Sequence, residues 1–396
     1  MTAATDTQPD NSLPDAELVR EGPPADLLPA DLLPEGLADR LPPQAASAVQ
    51  ITRAITDTMV AHGYAMVQPP LVEFERSLAS RMAGTGTRRM VRYTDPVSLR
   101  TLALRSDMTV QVGRIASTGL RGAARPLRLC YAGQVLAIRG DGLEPERERL
   151  QIGAEIVGTD TVAAACECVS LAIGALRAAG AEDISVDFTL PDLVETLSAG
   201  SLPLPPERVA AVRRELDAKD AGGLKTLDAH DYLPLLYATG AFDTAIEKLA
   251  AIDAGGALAT RIAGLRRIAD HVGGRAALTL DPSERHGFEY QSWFGFTIYA
   301  DGLRGALGRG GTYRIGGEGG HDEAATGFSL YPDPLIQLCA RARNADRLFL
   351  PEGYDPDIAD RLRAIGWQTV AQLSDADDPA ALGCTHVLRG REPVRL

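Results

Sequence analysis

Long apolar runs are missing from this sequence of 396 residues. No stretch approaches the ~18 consecutive apolar residues of a membrane-crossing helix. The first residues also lack a basic flank followed by an apolar core, so we expect neither a membrane span nor a secretory signal. The hydrophobic content of 45% is typical of a soluble globular protein, and the length allows two or more domains, each with its own core.

Cysteine is scarce as well. The five cysteines are odd in number and scattered, which argues against a dense disulfide framework and makes a reducing cytoplasm the expected location. Cys166 and Cys168 lie in an alanine-rich helical stretch, where side chains two positions apart point in different directions. Core packing is therefore favoured over metal binding, and we expect neither a metal site nor a cofactor.

Positive charge is in deficit over the chain as a whole, with 40 Lys and Arg against 53 Asp and Glu and a net charge of −13. A protein that mainly grips tRNA phosphates is more often basic on its binding face. Residues 81–150 are an exception, with thirteen arginines against six acids. This basic region suits an anionic small molecule or an acidic protein surface, and a solvated face explains it equally well.

One stretch predicts an antiparallel hairpin around a long charged loop. Its first arm, residues 127–139, is apolar and β-prone, and its second arm, residues 149–157, alternates apolar and polar residues. Alternate residues of a strand point to opposite faces, so Gln151 and Glu155 share one face with Gly153 between them. Such a face can line a polar small-molecule pocket, and a solvated face with a glycine bulge is the alternative.

The chain as a whole divides into three stretches. Residues 1–33 are rich in Pro, Asp and Ala and predict a mobile tail. Residues 34–335 predict the main domain, with helices near 45–62, 73–82, 109–117 and 161–179 and a mostly helical insertion over 190–275. Residues 345–396 predict a small α/β segment. Ser106 or Asp107 can cap the helix that starts at Thr109.

The hairpin resembles motif 2 of class II aminoacyl-tRNA synthetases, in the form that histidyl-tRNA synthetases carry. The family's HQxGxE strand is matched by Leu150-Gln151-Ile152-Gly153-Ala154-Glu155, whereas Ala137 stands where the family has an ATP-binding arginine. The LRSDMT run is similar to the family's LRPEGT element. The resemblance implies that Asp107 and Thr109 bind a substrate α-ammonium group, for which a carboxylate and a hydroxyl are suitable acceptors.

Three further elements follow in the family's order. Residues 285–291 resemble its RGLDYY element; aligned on the glycine, the catalytic arginine becomes His286, and the two tyrosines become Tyr290 and Gln291. Residues 307–314 resemble GGRYD, and residues 325–330 resemble the motif 3 strand, after which Pro334 replaces another ATP-binding arginine. The helix, strand and proline pair near 45–70 resemble motif 1, which builds the family's dimer interface.

The resemblance implies an α+β fold: a class II synthetase-like antiparallel sheet flanked by helices, with the helical insertion and a C-terminal α/β remnant too short for an anticodon-binding domain. Amino-acid activation needs cations along the triphosphate. Removing one such donor reduces the rate on the order of 10²–10³-fold, so replacing all three arginines, at Ala137, His286 and Pro334, argues against this activity.

Regulatory subunits of ATP phosphoribosyltransferase are the histidyl-tRNA synthetase paralogues with this pattern. The resemblance implies a non-catalytic subunit for the first step of histidine biosynthesis, which forms a homodimer through the synthetase-like core and does not bind tRNA. It also implies a hetero-octamer with four short-form catalytic chains, with feedback by histidine. A divergent histidyl-tRNA synthetase or an amino-acid ligase of the same fold is the alternative.

The resemblance also predicts a histidine pocket. Its α-ammonium receptors would be Asp107, Thr109 and Gln151, and its imidazole contacts would be Glu155, Tyr290 and Gln291. No catalytic residue is expected. Whether feedback histidine binds in this pocket or at the subunit interface stays open at the level of sequence.

Overall fold

The computed structural model describes residues 32–79, 90–140, 145–253, 255–285, 291–316, 322–341 and 346–396. The predicted mobile tail lies outside these residues, apart from positions 32 and 33. His286 and Tyr290, which the sequence places near the predicted pocket, also lie outside them. Within the described residues, no helix combines the length and apolar character required to cross a membrane.

A nine-stranded sheet forms the centre of the fold. From one edge to the other its strands are β1 (Ala65–Met66), β5 (Leu127–Leu136), β6 (Glu148–Val157), β12 (Glu323–Leu330), β11 (Gly308–Ile315), β10 (Gln291–Ala300), β7 (Ile184–Thr189), β9 (Ala277–Leu280) and β8 (Gly240–Ala241). The six neighbouring strands β5, β6, β12, β11, β10 and β7 all pair antiparallel, as predicted. The pairs β1–β5 and β7–β9 are parallel, so the complete sheet is mixed.

One face of this sheet is covered by four helices: α1 (Gln44–Ala61), α4 (Val162–Ala178), α9 (Ala259–Val272) and α10 (Asp333–Arg341). Helix α4 packs against the sheet and also against α1 and α9, so it is apolar on several sides. Cys166 and Cys168 are both buried in this core, which confirms core packing. No group of His, Cys, Asp or Glu within the described ranges could hold a metal ion.

The region between β7 and β9 is mainly helical. It contains α5 (Leu193–Ser198), α6 (Pro206–Asp217), α7 (Ala221–Thr226), a 3₁₀ helix (His230–Tyr237), α8 (Phe242–Ile252) and α9. Val212, Leu224 and Tyr232 of this region belong to the same hydrophobic cluster as Phe188 and Phe294 of the sheet. The inserted helices therefore share a continuous core with the central sheet.

A smaller layer lies on the opposite face. It contains a sheet of β2 (Val72–Phe74), β4 (Thr101–Leu104) and β3 (Arg92–Thr94), together with α2 (Glu75–Ala79) and α3 (Thr109–Ser117). Helix α3 packs on β6, where Met108 and Val112 join a second hydrophobic cluster with Leu129 and Val157. This layer covers only part of the sheet face, and the polar residues of the hairpin lie beside it.

The C-terminal segment forms its own small sheet. Its elements are β13 (Arg347–Leu350), α11 (Pro356–Ala364), β14 (Gln368–Ala371), β15 (His386–Arg389) and β16 (Glu392–Arg395), and the strand order is β14-β13-β15-β16. Leu348, Leu350 and Ile358 belong to a separate apolar cluster. The short α/β character was predicted, whereas β16 was not, because Pro393 makes this run a poor strand by sequence.

Two local predictions were wrong. The helix expected over 73–82 begins only at Glu75, because residues 72–74 pair with β4 as a strand. The carboxylate of Glu73 also accepts hydrogen bonds from Arg114 and Gln111 of α3, so tertiary contacts outweigh helix propensity here. The first hairpin arm, expected to reach residue 139, ends at Leu136.

Candidate functional site

A polar recess opens on the sheet face opposite α4. Register places Tyr131 on β5 beside Gly153 on β6, then Ser329 on β12 and Arg309 on β11. The recess is narrow, with a cavity volume of about 10 Å³, and is partly open to solvent. Its lining residues are Thr109, Glu155, Gln291, Arg309, Gly310, Gly311, Tyr313, Gly327, Phe328 and Ser329.

Glu155 lies at the bottom of this recess and is only 1% exposed. The hydroxyl of Tyr131 donates to its Oε1 at 2.9 Å, and the hydroxyl of Tyr313 donates to its Oε2 at 2.7 Å. Burial raises the pKa of Glu155 to about 8, although these hydrogen bonds oppose the shift. Each carboxylate oxygen keeps acceptor capacity beyond its tyrosine, so the group can still interact with a ligand.

Gln151 is fully buried and connects the sheet to the start of α3. Its Oε1 accepts from the backbone N–H of Met108 at 2.8 Å, and its Nε2 donates to Ser329 Oγ at 2.8 Å and to Asp107 Oδ1 at 3.1 Å. Both amide hydrogens are therefore in use, and only the second lone pair of Oε1 is available to a ligand.

Asp107 holds the start of α3, one of the two roles considered from sequence. Its Oδ1 accepts from the backbone N–H of Thr109 at 2.7 Å, which satisfies a first-turn donor of α3. None of the described residues donates a hydrogen bond to Oδ2. One carboxylate oxygen thus holds the helix start, while the other remains able to accept from an ammonium group.

Tyr131 connects the separate parts of the site, although it was not among the site residues predicted from the sequence. Its hydroxyl lies 3.1 Å from Thr109 Oγ1 and 3.1 Å from Ser329 Oγ, in addition to its bond to Glu155. The pKa of this fully buried hydroxyl is raised well above its ordinary value, mainly by burial. The alternation of β5 places Tyr131 on the recess face, which was the available signal.

Three glycines make room for these polar groups. A methyl group at Gly153 would overlap Tyr131 Oη, one at Gly327 would overlap Glu155 Oε2, and one at Gly311 would overlap Gln291 Oε1. β6 pairs through Gly153 on both sides without a change of register. The alternative of a solvated face with a glycine bulge is therefore wrong.

Gln291 completes the described part of the recess. It begins β10, just before an irregularity in the pairing with β11 between Gln291 and Gly295. Its Oε1 is buried and has no hydrogen-bond partner within the part of the chain that the structure describes. An unpaired buried carbonyl is unfavourable, so a donor from a ligand or a water molecule would stabilise it.

Comparisons with known proteins agree with this architecture. The pattern of the histidyl-tRNA synthetase family matches residues 36–335. An ATP phosphoribosyltransferase regulatory subunit of Rhodospirillum centenum is 39% identical over 373 residues, which cover 91% of this chain and 95% of the relative. The chain belongs to the family of ATP phosphoribosyltransferase regulatory subunits.

Two solved structures show the same fold. One, titled an ATP phosphoribosyltransferase regulatory subunit/histidyl-tRNA synthetase from Bacillus halodurans, has a TM-score of 0.76 and 24% identity and covers 91% of this chain and 98% of its own. A histidyl-tRNA synthetase from a Nostoc species has a TM-score of 0.71 and 14% identity and covers 90% of each chain. The predicted class II synthetase-like fold is confirmed.

In this regulatory-subunit chain, two of the three expected ATP-binding positions, Ala137 and Pro334, lie within the described residues. Ala137 pairs with Arg147 through its backbone, donating to the carbonyl oxygen at 2.8 Å. Pro334 lies in the first turn of α10, directly after Asp333. The Asp333 carboxylate pairs with Arg40 and accepts from Leu150 N–H at 3.1 Å. Neither Ala137 nor Pro334 therefore carries a positive charge.

Arg105, within the LRSDMT run, was also missed as a structural residue. It is 8% exposed; its Nε donates to the carbonyl oxygen of Gln134 at 2.7 Å, and its Nη1 donates to that of Pro69 at 2.8 Å. Burial lowers the pKa of Arg105. Its Nη2 lies against Gly133, and a side chain at position 133 would displace the guanidinium group. Arg105 thereby fixes the loop that carries Asp107.

Proposed function

We propose that this chain is a non-catalytic, cytoplasmic regulatory subunit that supports the first step of histidine biosynthesis by binding a short-form ATP phosphoribosyltransferase catalytic subunit. The observation that carries the proposal is the 39% identity to a named regulatory subunit over 95% of that relative's length. Similarity over 91% of this chain extends beyond residues 36–335, which match the synthetase family.

The lack of amino-acid activation is part of this proposal. Ala137 and Pro334 supply no positive charge. His286, the third replaced position, lies outside the described residues. Because adenylation depends on cations that offset the triphosphate charge, the arrangement favours binding over catalysis.

The recess is proposed to receive histidine. Asp107 Oδ2, Thr109 Oγ1 and the second lone pair of Gln151 Oε1 would accept from its α-ammonium group. Glu155 and Gln291 would read the imidazole, since both carry buried oxygens that can accept a ring N–H. Tyr290 would add an aromatic wall, as the family resemblance implies.

We propose that the chain forms a homodimer through its synthetase-like core. Four regulatory and four catalytic chains would then assemble into a hetero-octamer that does not bind tRNA. The dimer contact would be formed by residues 45–70, as their resemblance to the family's motif 1 implies.

Reconstitution with the short-form catalytic subunit of the same organism tests the regulatory role. We expect the two purified chains to co-elute with the mass of a hetero-octamer and the phosphoribosyltransferase rate to rise on mixing. Separate elution, together with an unchanged rate, would exclude the regulatory role.

Pyrophosphate exchange tests the absence of activation. The purified chain, incubated with ATP, histidine and labelled pyrophosphate, should show no histidine-dependent exchange, while a histidyl-tRNA synthetase run in parallel provides the positive control. Exchange by this chain would instead favour a divergent synthetase or an amino-acid ligase.

A further inference from the structure

Arg309 is a basic residue that lines the recess. The alternation of β11 places Arg309, Gly311 and Tyr313 on the same face, and Tyr313 reaches Glu155 from there. Among the described residues that line the recess, Arg309 alone carries a positive charge. The sequence analysis gave this residue no role.

The two charged side chains lie on different elements. The carboxylate of Asp107 lies at the start of α3, beside β6, whereas Arg309 belongs to β11, two strands further along the sheet. Neighbouring strands lie about 4.8 Å apart, so the backbones of β6 and β11 are separated by roughly 10 Å. Thr109, Glu155 and Arg309 line the space between them.

The floor between the walls carries little side-chain bulk. Gly327 and Gly311 lie side by side across β12 and β11, in the row that begins with Glu155. In the adjacent row, Gly153 and Ser329 separate Tyr131 from Arg309. The side chains of Glu155 and Gln291 fill the space over Gly327 and Gly311. A ligand would therefore lie over these two side chains, with Arg309 lining the same space.

We infer that Arg309 binds the α-carboxylate of an amino-acid ligand and makes the recess selective for zwitterionic amino acids over the corresponding amines. This inference rests on the proposed function for the presence of an amino acid in the recess. A guanidinium group suits the role because its planar donors match the two oxygens of a carboxylate. Lysine offers a single point of charge and would match it less well.

The test compares L-histidine with histamine, which lacks only the carboxylate. Calorimetric titration of the full-length wild-type chain should show histidine binding at least about tenfold tighter than histamine. In Arg309→Met the affinity for histidine should fall roughly 30-fold or more, as expected when one member of a buried charged pair is removed. The affinity for histamine should change by less than about threefold, so the preference disappears.

Two further variants serve as controls. Arg314→Met removes the same charge from the same strand but on the opposite face, at an exposed position, and should bind histidine like the wild type. Arg309→Lys retains the charge and should give an intermediate affinity, which separates loss of recognition from loss of folding. Melting curves of all four proteins should agree within a few degrees.

Two results would overturn the inference. If the wild type binds histidine while Arg309→Met binds it equally well, or weakens histidine and histamine by the same factor, Arg309 does not read the carboxylate. If the wild type binds no histidine at all, the proposed ligand is wrong and this inference is refuted with it. Assembly with the catalytic subunit is measured separately and would stand in either case.

Discussion

Protonation of Glu155 should control how the free energy of unfolding depends on pH. The carboxyl group is 1% exposed between Tyr131 and Tyr313, and burial raises its pKa from an ordinary 4.5 to about 8. The substitution Glu155→Gln preserves the shape of the protonated acid and removes its ionisation. Wild type and variant should therefore behave alike where Glu155 is protonated and differ where it is not.

The sign and size follow from linkage. Between pH 4.5 and about 8 the folded chain holds a proton on Glu155 that the unfolded chain has released, so the free energy of unfolding falls as pH rises. At 1.36 kcal/mol per pH unit, the decrease across this window is on the order of 5 kcal/mol. Replacing a carboxyl hydrogen bond by an amide one costs about 1 kcal/mol, which is smaller.

Thermal melting between pH 4.5 and 9 measures this effect. We expect Glu155→Gln to melt within a few degrees of the wild type at pH 5 and several degrees above it at pH 9. Glu148→Gln makes the same change at an exposed position on the same strand and should follow the wild type at every pH. A difference between wild type and Glu155→Gln that does not vary with pH would refute the raised pKa.

Two further changes test the packing around the site. Gly327→Ala should destabilise the fold by about 1–3 kcal/mol and weaken histidine binding, because its methyl group would overlap Glu155 Oε2; Gly316→Ala, with open space around it, is the control in the same melting and calorimetric assays. Glu167→Gln should lower the free energy of unfolding at pH 7 by about 1 kcal/mol, because the hydrogen bonds from Arg128, at 2.7 Å each, depress the pKa of this carboxyl. The difference between wild type and variant should vanish as pH falls through the depressed pKa. A loss of stability that persists in acid would contradict this account.

The hairpin and its polar face could be predicted because both follow from local rules. Alternation along 149–157 placed Gln151 and Glu155 on one face, and the structure buries both of them on the recess side. The helix Thr109–Ser117 was also predicted with correct bounds, since its start is marked by Asp107. The alternation of a strand and the capping of a helix depend on residues that are neighbours in sequence, so both can be predicted from the sequence alone.

The segment 72–74 shows where local rules failed. Its residues are compatible with the start of a helix, yet they form a strand because β4, almost thirty residues later, supplies the hydrogen-bonding edge. Glu73 is then held by Arg114 and Gln111 of α3. Such partners are distant in sequence, so propensity alone cannot include their energy.

By itself, then, the sequence determined the hairpin, the helices that begin near residues 45, 109 and 161, the face on which Gln151 and Glu155 lie, and the family resemblance through motifs of fixed order. Only the tertiary structure decided which side chains meet. Tyr131, Tyr313 and Ser329 join Glu155 and Gln151 because four strands pair in a particular register, and the glycines at 153 and 327 leave space for those contacts. Register across strands is set by the packing of the whole sheet, and for that reason Arg309 faces the recess without any local mark in its sequence.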